Sequence, residues 1–238
     1  MKILPYGEKA VVVNFEQKIA PSIHAKVVAL KKAMEQVPKG IDYCIPAYCS
    51  LTIVYDPLQW TFAELSKYIE YLLVLSSNLD EDPAGRQLNI PICYDDELAL
   101  DMEDVMAFSG LSRAAVIRAH CAVDYRVYML GFLPGFAYMG RLAKVLECPR
   151  KAHPRRSVPA GSLGLAGQQT GIYPVHSPGG WHIIGQTPLA VFDHRATSPF
   201  LFQVGDIVRF YAINAKEFNN IQRAVEKNIF DKTELYRG

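Results

Sequence analysis

SVPAGSLGLAGQQTGIYPVHSPGGWHIIGQTPLAVF, residues Ser157–Phe192, runs for 36 residues without a Lys, Arg, Asp or Glu, and carries seven glycines and four prolines. A charge-free stretch of that length invites comparison with a membrane helix, which needs about 20 consecutive apolar residues. Glycine and proline at this density break helices and mark turns between short strands instead. From Tyr125 onward the chain keeps this character, with Gly, Pro, aromatics and short β-type runs that include Gly131-Phe-Leu-Pro-Gly-Phe-Ala-Tyr138. That is the pattern of a β-barrel with long loops. No membrane span is expected.

Working outward, the N-terminal part reads differently. Ile3–Tyr6 and Ala10–Phe15 form a hairpin around Gly7-Glu8-Lys9. Ile23, Val27, Leu30 and Met34 then recur at helical spacing, with Pro21 before them and Pro38 and Gly40 behind. Two short strands, Ile41–Ile45 and Ser50–Tyr55, follow. Thr61-Phe-Ala-Glu64 is a capping box that opens a helix with Phe62, Leu65, Ile69 and Leu72 on one face. The order strand-strand-helix-strand-strand-helix predicts a small α+β sandwich with both helices on one face of a sheet. Ser76–Asn89 is polar, carries Pro and Gly, and reads as a linker. The division is residues 1–80 as an α+β domain and 81–238 as a mainly-β barrel domain. The latter includes a strand at Ile90–Cys93, helices over Asp101–Ser109 and after Ser112, and a closing helix over Ala215–Asn228.

Composition bounds the chemistry. The 238 residues hold 25 Lys+Arg and 24 Asp+Glu, and half are hydrophobic, so the chain is a folded protein with little net charge. A non-specific nucleic-acid binder needs surplus cations to displace counterions from phosphates. The helix pair over Asp104–His120 superficially resembles a helix-turn-helix reader. However, Asp80–Asp104 just upstream holds nine acids and one base, so nucleic acid is excluded as a partner. Met1–Phe15 lacks the basic start, apolar core and cleavage site of a secretory signal. Five cysteines, an odd number and none in a C-x-x-C pair, suit reduced thiols in a cytoplasm.

No phosphate-binding loop, H-E-x-x-H, G-x-S-x-G or G-x-G-x-x-G motif is present. The six histidines are scattered, and no metal site is expected. Two segments remain. Phe132, Pro134, Phe136 and Tyr138, joined by Trp181, read either as turn-and-core aromatics or as the wall of an aromatic groove. Between Arg141 and Arg156, six bases and one acid lead into the glycine-rich loop 155–171. Gly161, Gly164 and Gly167 there let backbone amides turn inward to cradle an anion. Arg155 or Arg156 offers a forked pair to a carboxylate. Ser162 lies within the same loop, and Gln169, Thr170, Tyr173 and His176 supply polar edges for an amide-bearing ligand. The plain alternative is that these glycines make barrel turns and the arginines are solvated.

The ordered strings GFLPGFAYMG from Gly131, Pro154-Arg155, Val158-Pro-Ala-Gly-Ser, Ala166-Gly, Gln169-Thr-Gly-Ile-Tyr-Pro, Ser177-Pro-Gly-Gly-Trp and Ile184-Gly-Gln-Thr-Pro resemble the KipI/PxpB family. That family is also called allophanate hydrolase subunit 1 or carboxyltransferase domain C/D. The N-terminal hairpin and Gly205-Asp206 fit as well, so the resemblance covers nearly the whole chain. It implies a small N-terminal α+β domain followed by a cyclophilin-like β-barrel. It further implies a component of an ATP-dependent 5-oxoprolinase, inactive alone, that works with a KipA/PxpC-like and a LamB/YcsF-like (PxpA) subunit on a lactam or amide. In that reading the complex uses ATP and this chain carries no cofactor of its own. Arg155, Gly161, Ser162, Gly164, Gly167, Gln169, Thr170 and Tyr173 would bind substrate, with no residue assigned as general base. Two other activities go with the same resemblance: inhibition of a sensor histidine kinase through the groove of Phe132, Pro134, Phe136, Tyr138 and Trp181, and carboxyl transfer in a urea carboxylase system.

Overall fold

The computed structural model of the chain describes residues 1–37, 39–75 and 85–237. The chain divides into two compact units, Met1–Pro83 and Ala84–Gly238. The expected boundary between residues 80 and 81, and the linker over 76–84, lie outside the described residues.

The first unit is a four-stranded antiparallel sheet of β1 (Lys2–Pro5), β2 (Ala10–Asn14), β3 (Ile41–Pro46) and β4 (Ser50–Tyr55), in the order β1-β2-β4-β3, with α1 (Pro21–Glu35) and α2 (Phe62–Leu75). Alternation along the strands places Val11 and Val13 of β2 and Leu51, Ile53 and Tyr55 of β4 in one core. Ile23, Val27, Leu30 and Met34 of α1 and Leu65 and Ile69 of α2 complete it. Local chemistry sets the second helix start. The Glu64 amide donates to Thr61 Oγ1 at 3.2 Å while the Thr61 amide donates to Glu64 Oε2 at 3.0 Å.

The second unit is a closed barrel of β5 (Gln87–Cys93), β6 (Asp124–Leu130), β7 (Ala137–Gly140), β9 (Ser162–Ala166), β10 (Gln169–Ile172), β12 (His182–Gln186) and β13 (Ile207–Ile213). Its strand order is β10-β7-β6-β13-β5-β12-β9, and a separate two-stranded sheet joins β8 (Arg155–Val158) to β11 (Ser177–Gly179). Among the described residues this unit has three α-helices, α3 (Met102–Ser109), α4 (Arg113–Cys121) and α5 (Ala215–Glu226). The helix starting after Ser112 does so without a side-chain cap, whereas Asn214 and Glu217 cap α5 reciprocally. The expected linker is shorter than its composition suggests. Gln87, Leu88 and Asn89 are strand residues, because parallel pairing with Ile207, Val208 and Arg209 satisfies their backbone. Arg86 then grips the buried Asp206 with both Nε (3.0 Å) and a terminal nitrogen (2.5 Å), so the forked pair fixes the entry to β5 against the entry to β13.

All seven barrel strands contribute to one core, which is therefore the interior; Leu88, Tyr125, Met139, Leu163, Ile172, Ile184 and Phe210 are representatives. One polar chain crosses it. Thr170 Oγ1 donates to Gly164 O at 3.2 Å and lies 3.2 Å from His120 Nε2, while His120 Nδ1 lies 3.0 Å from the Tyr94 hydroxyl. The consistent assignment puts the imidazole proton on Nε2, donating to Thr170, with Nδ1 accepting from Tyr94. The ring packs against both Tyr125 and Phe210, with centroids 5.1 and 4.9 Å away.

Burial holds this histidine neutral, with its pKa pushed down to about 3 from 6.5. The unfolded chain takes up that proton near the ordinary value. The associated stability is thus present above pH 6.5 and lost as pH falls towards about 3. Each pH unit in that window removes up to ~1.4 kcal/mol. Urea unfolding at pH 7 and pH 5 should therefore differ by about 2 kcal/mol more for the native chain than for His120→Phe, which keeps a stacked ring but cannot titrate. Equal pH dependence in the two proteins would show that His120 is not the responsible group.

Candidate functional site

Two neighbouring arrangements stand out, a buried ion cluster that takes in Arg155 and an aromatic face on the outside of the barrel. Asp101, immediately before α3, is the centre of the first. Its carboxylate is almost completely enclosed, with a side-chain exposure of 1%. Oδ1 accepts from Lys151 Nζ at 2.5 Å and from Arg155 at 2.7 Å, and Oδ2 accepts from Arg155 at 3.0 Å and from the Ile183 amide at 2.8 Å. The Asp101 amide in turn donates to Ile183 O at 2.7 Å. Lys151 also reaches Asp104 Oδ2 at 2.8 Å, and that charge holds the Asp104 carboxyl below its usual range. His182 Nδ1 stands 3.6 Å from the same Asp104 oxygen. Asp101, Asp104 and His182 have the composition of a metal-ligand set. The cation bridging the two carboxylates here is the Lys151 ammonium.

The aromatic face follows from strand alternation. In β9, Leu163 and Leu165 point into the barrel, so Gly164 and Ala166 face out. Register places Tyr138, Gly171, Gly164 and Ile183 side by side across β7, β10, β9 and β12. The two glycines make a trough into which rings settle. A Cβ on Gly164 would lie 2.9 Å from Trp181 Cβ, and one on Gly171 would lie 3.2 Å from the Phe136 ring. Phe136 meets Tyr138, Tyr173 and Trp181 at centroid distances of 4.7, 5.2 and 5.4 Å. Burial raises the Tyr173 pKa, so the hydroxyl stays protonated.

These positions revise several expectations. Arg155 is engaged with Asp101 rather than open to a ligand. Gly161 and Gly167 have the left-handed backbone that suits glycine, with φ of +81° and +58°. Their amides are nonetheless spent internally, on Tyr173 O at 2.7 Å and Cys148 O at 2.6 Å, so neither cradles an anion here. Gly164 is a strand residue under Trp181. Ser162 and Thr170 are buried, Thr170 within the polar chain through His120, and Tyr173 is buried edge-on against Phe136. Gln169 is half-exposed and Gly167 exposed. The expected groove is largely a packed cluster: Phe136 and Trp181 are buried, Tyr138 is half-buried, and only Phe132 and Pro134 are exposed. Phe132 has φ of +68°, an uncommon conformation for a non-glycine residue, at the tip of the β6–β7 turn.

Two clefts lie elsewhere in the unit. One, of about 580 Å³, is lined by residues that include Tyr94, Asp96, Arg113 and Glu217. The other, of about 460 Å³, includes Leu189, Leu201, Val225 and Phe230. Sequence reasoning missed Asp101, Asp104, Lys151 and His182. The available signal was the acid-rich run before residue 104 facing a base-rich run after residue 141.

Removing the central carboxylate leaves Arg155 without its counter-charge and the Ile183 amide without its acceptor, and leaves Lys151 with Asp104 alone. Asp101→Ala should destabilise the second unit by about 3–5 kcal/mol. Arg155→Ala should cost less, about 1–2 kcal/mol, because Lys151 still neutralises Asp101. Trp181 fluorescence during urea unfolding, in a Trp60→Phe background, reads this unit alone. Equal losses from the two substitutions would contradict the hierarchy.

Comparison with known proteins places this geometry in a family. Residues 1–202 match the family described as carboxyltransferase domain, subdomain C and D. The 5-oxoprolinase B subunit of Bacillus subtilis is 38% identical over 224 residues, covering 90% of this chain and 93% of that protein. Among solved structures, the crystal structure of TTHA0988 superposes with a TM-score of 0.75 at 35% identity, covering 87% of this chain and 40% of that longer one. The Kluyveromyces lactis urea carboxylase shares the fold, with a TM-score of 0.78 at 17% identity over 97% of this chain and 24% of its own length. With its barrel, its glycine trough and the aromatic rings that fill it, the chain belongs to the carboxyltransferase subdomain C and D family.

Proposed function

We propose that this chain is the B-type component of an ATP-dependent 5-oxoprolinase, which opens the lactam of 5-oxoproline to glutamate. The observation that carries this reading is the 38% identity, over nine-tenths of the chain, to a protein named as the B subunit of a 5-oxoprolinase. In this reading the second unit is a cyclophilin-like barrel behind a small α+β domain. The protein works in the cytoplasm with a KipA/PxpC-like and a LamB/YcsF-like (PxpA) partner, is inactive alone, and leaves ATP binding to the complex. Among the described residues no helix is long and apolar enough to cross a membrane, which fits a role in such an assembly.

The chemistry gives the assembly its logic. A lactam is a stable amide, so ATP is spent on its carbonyl oxygen, making that oxygen a leaving phosphate. Water then adds to the carbon, the ring C–N bond opens, and a second water releases phosphate from the resulting acyl phosphate. The part assigned to this chain is to bind and orient the ring through preorganised donors on the outer face of the barrel, where Gln169 is the accessible amide. Arg155 and the ion cluster around Asp101 serve as the frame beneath that face.

Mixing the purified chain with both partner proteins and assaying ATP-dependent glutamate release tests the proposal. Release that requires all three proteins is the expected result. ATP-dependent turnover of urea, with none of 5-oxoproline, would move the assignment to the carboxyltransferase reading favoured by the shared urea carboxylase fold. Inhibition of a sensor histidine kinase with no turnover of either would move it to a binding role.

A further inference from the structure

His182 is enclosed, its side chain only 4% exposed, and neither ring nitrogen has a hydrogen-bond partner among the described residues. Whichever tautomer the imidazole takes, it keeps one donor and one acceptor, and burying them unpaired is costly. The backbone gives the ring little freedom to turn away. His182 opens β12, and the amide of the next residue, Ile183, is tied to Asp101 Oδ2 at 2.8 Å. Phe108, one helical turn beyond Asp104 in α3, packs edge to face against the imidazole at 5.5 Å. Nδ1 stands 3.6 Å from Asp104 Oδ2, too far for a hydrogen bond. That spacing suits a shared metal ion better: with bonds of about 2.1 Å, neighbouring ligands of tetrahedral zinc lie about 3.4 Å apart. The ligand atoms of Asp101, Asp104 and His182 all lie within 4.8 Å of one another.

A cation already stands against two of the three. Lys151 Nζ lies 2.5 Å from Asp101 Oδ1 and 2.8 Å from Asp104 Oδ2, yet it makes no hydrogen bond to the imidazole. We infer that Asp101, Asp104 and His182 form a site for a divalent transition metal of the zinc class, which displaces the Lys151 ammonium and uses the imidazole that the lysine leaves idle. One nitrogen with two carboxylate oxygens is a donor set for zinc or cobalt, whereas magnesium and calcium favour oxygen alone. The rest of the site stands without the lysine. Arg155 and the Ile183 amide hold the Asp101 carboxylate in place, as outer-shell partners hold metal ligands. Asp104 is half-exposed and free to draw inward, and the partly exposed Lys151 side chain has a way out to solvent. No covalent bond changes: the lysine leaves protonated, and water completes the coordination. The site is independent of the 5-oxoprolinase reading.

Titrating the full chain with Zn²⁺ against a chromophoric chelator, and with Co²⁺ followed by absorption, tests the site. The native chain should take up one Zn²⁺. Bound Co²⁺ should give the intense visible bands of a four-coordinate ion, without the near-ultraviolet charge-transfer band that a cysteine site produces. His182→Leu and Asp104→Asn should each weaken Zn²⁺ binding at least ~10-fold, since losing a ligand costs no less than losing a supporting contact. Asp104 is half-exposed, so its variant keeps the test decisive should His182→Leu fail to fold. Lys151→Ala should tighten binding ~10-fold by removing a competitor held through charge-assisted hydrogen bonds. No uptake by the native chain, uptake indifferent to His182 and Asp104, or a thiolate spectrum would overturn the site. Uptake by Lys151→Ala alone would overturn it too, by showing that the lysine closes it in the native protein. Equal affinities of the native chain and Lys151→Ala would overturn the exchange with the ammonium.

Discussion

One enclosed carboxylate has to be matched by positive charge, and the second unit is arranged around that requirement. Asp101 meets it by accepting from an arginine of β8, a lysine from the preceding loop and an amide of β12. A buried charge left without partners costs several kcal/mol, so these three elements are bound to the start of α3 and hence to one another. The position of the aromatic face follows. Ile183, whose amide is held by Asp101, lies two residues after Trp181, and Arg155 pairs in register with Gly179. The ion cluster thereby sets where the tryptophan and the glycine turn come to rest.

The outer face of the barrel then depends on what is missing from its strands. Side chains at Gly164 and Gly171 would occupy the space taken by Trp181 and Phe136. With hydrogen at both positions, the rings come close to the backbone, pack edge to face, and bury the outside of a sheet that would otherwise face water. The same glycine-rich composition that suggests an anion cradle thus has a packing role first.

What the sequence reveals divides by distance along the chain. The capping box at Thr61–Glu64 and the α1 positions Ile23, Val27, Leu30 and Met34 involve residues a few places apart, and they fold as read. The first three residues of β5 are hidden by polar composition because their partner, β13, lies some 120 residues later in the chain. The engagement of Arg155 is hidden for the same reason, since its counter-charge is 54 residues away. Thr170 is different. The period-2 alternation that turns Gln169 outward must turn Thr170 inward, so its burial is legible from β10 alone. The histidine that receives it, His120, is not, because nothing in α4 distinguishes a core imidazole from a catalytic one.

A net charge of +1 conceals how unevenly the charges are distributed. Nine acids crowd Asp80–Asp104 and six bases crowd Arg141–Arg156, and folding brings the end of one run against the middle of the other. Asp101 and Asp104 neutralise Lys151 and Arg155, and Glu147 meets Arg141 at 3.5 Å. Lys144, Arg150 and Arg156 of the same run are exposed and take no part in the cluster. Exposed charges contribute little to folding, so Lys151 and Arg155 are the members of the run that matter to the barrel. The cations that neutralise Asp101 come from a run that reads as solvated, and their charge is spent on holding β8 and β12 to the start of α3.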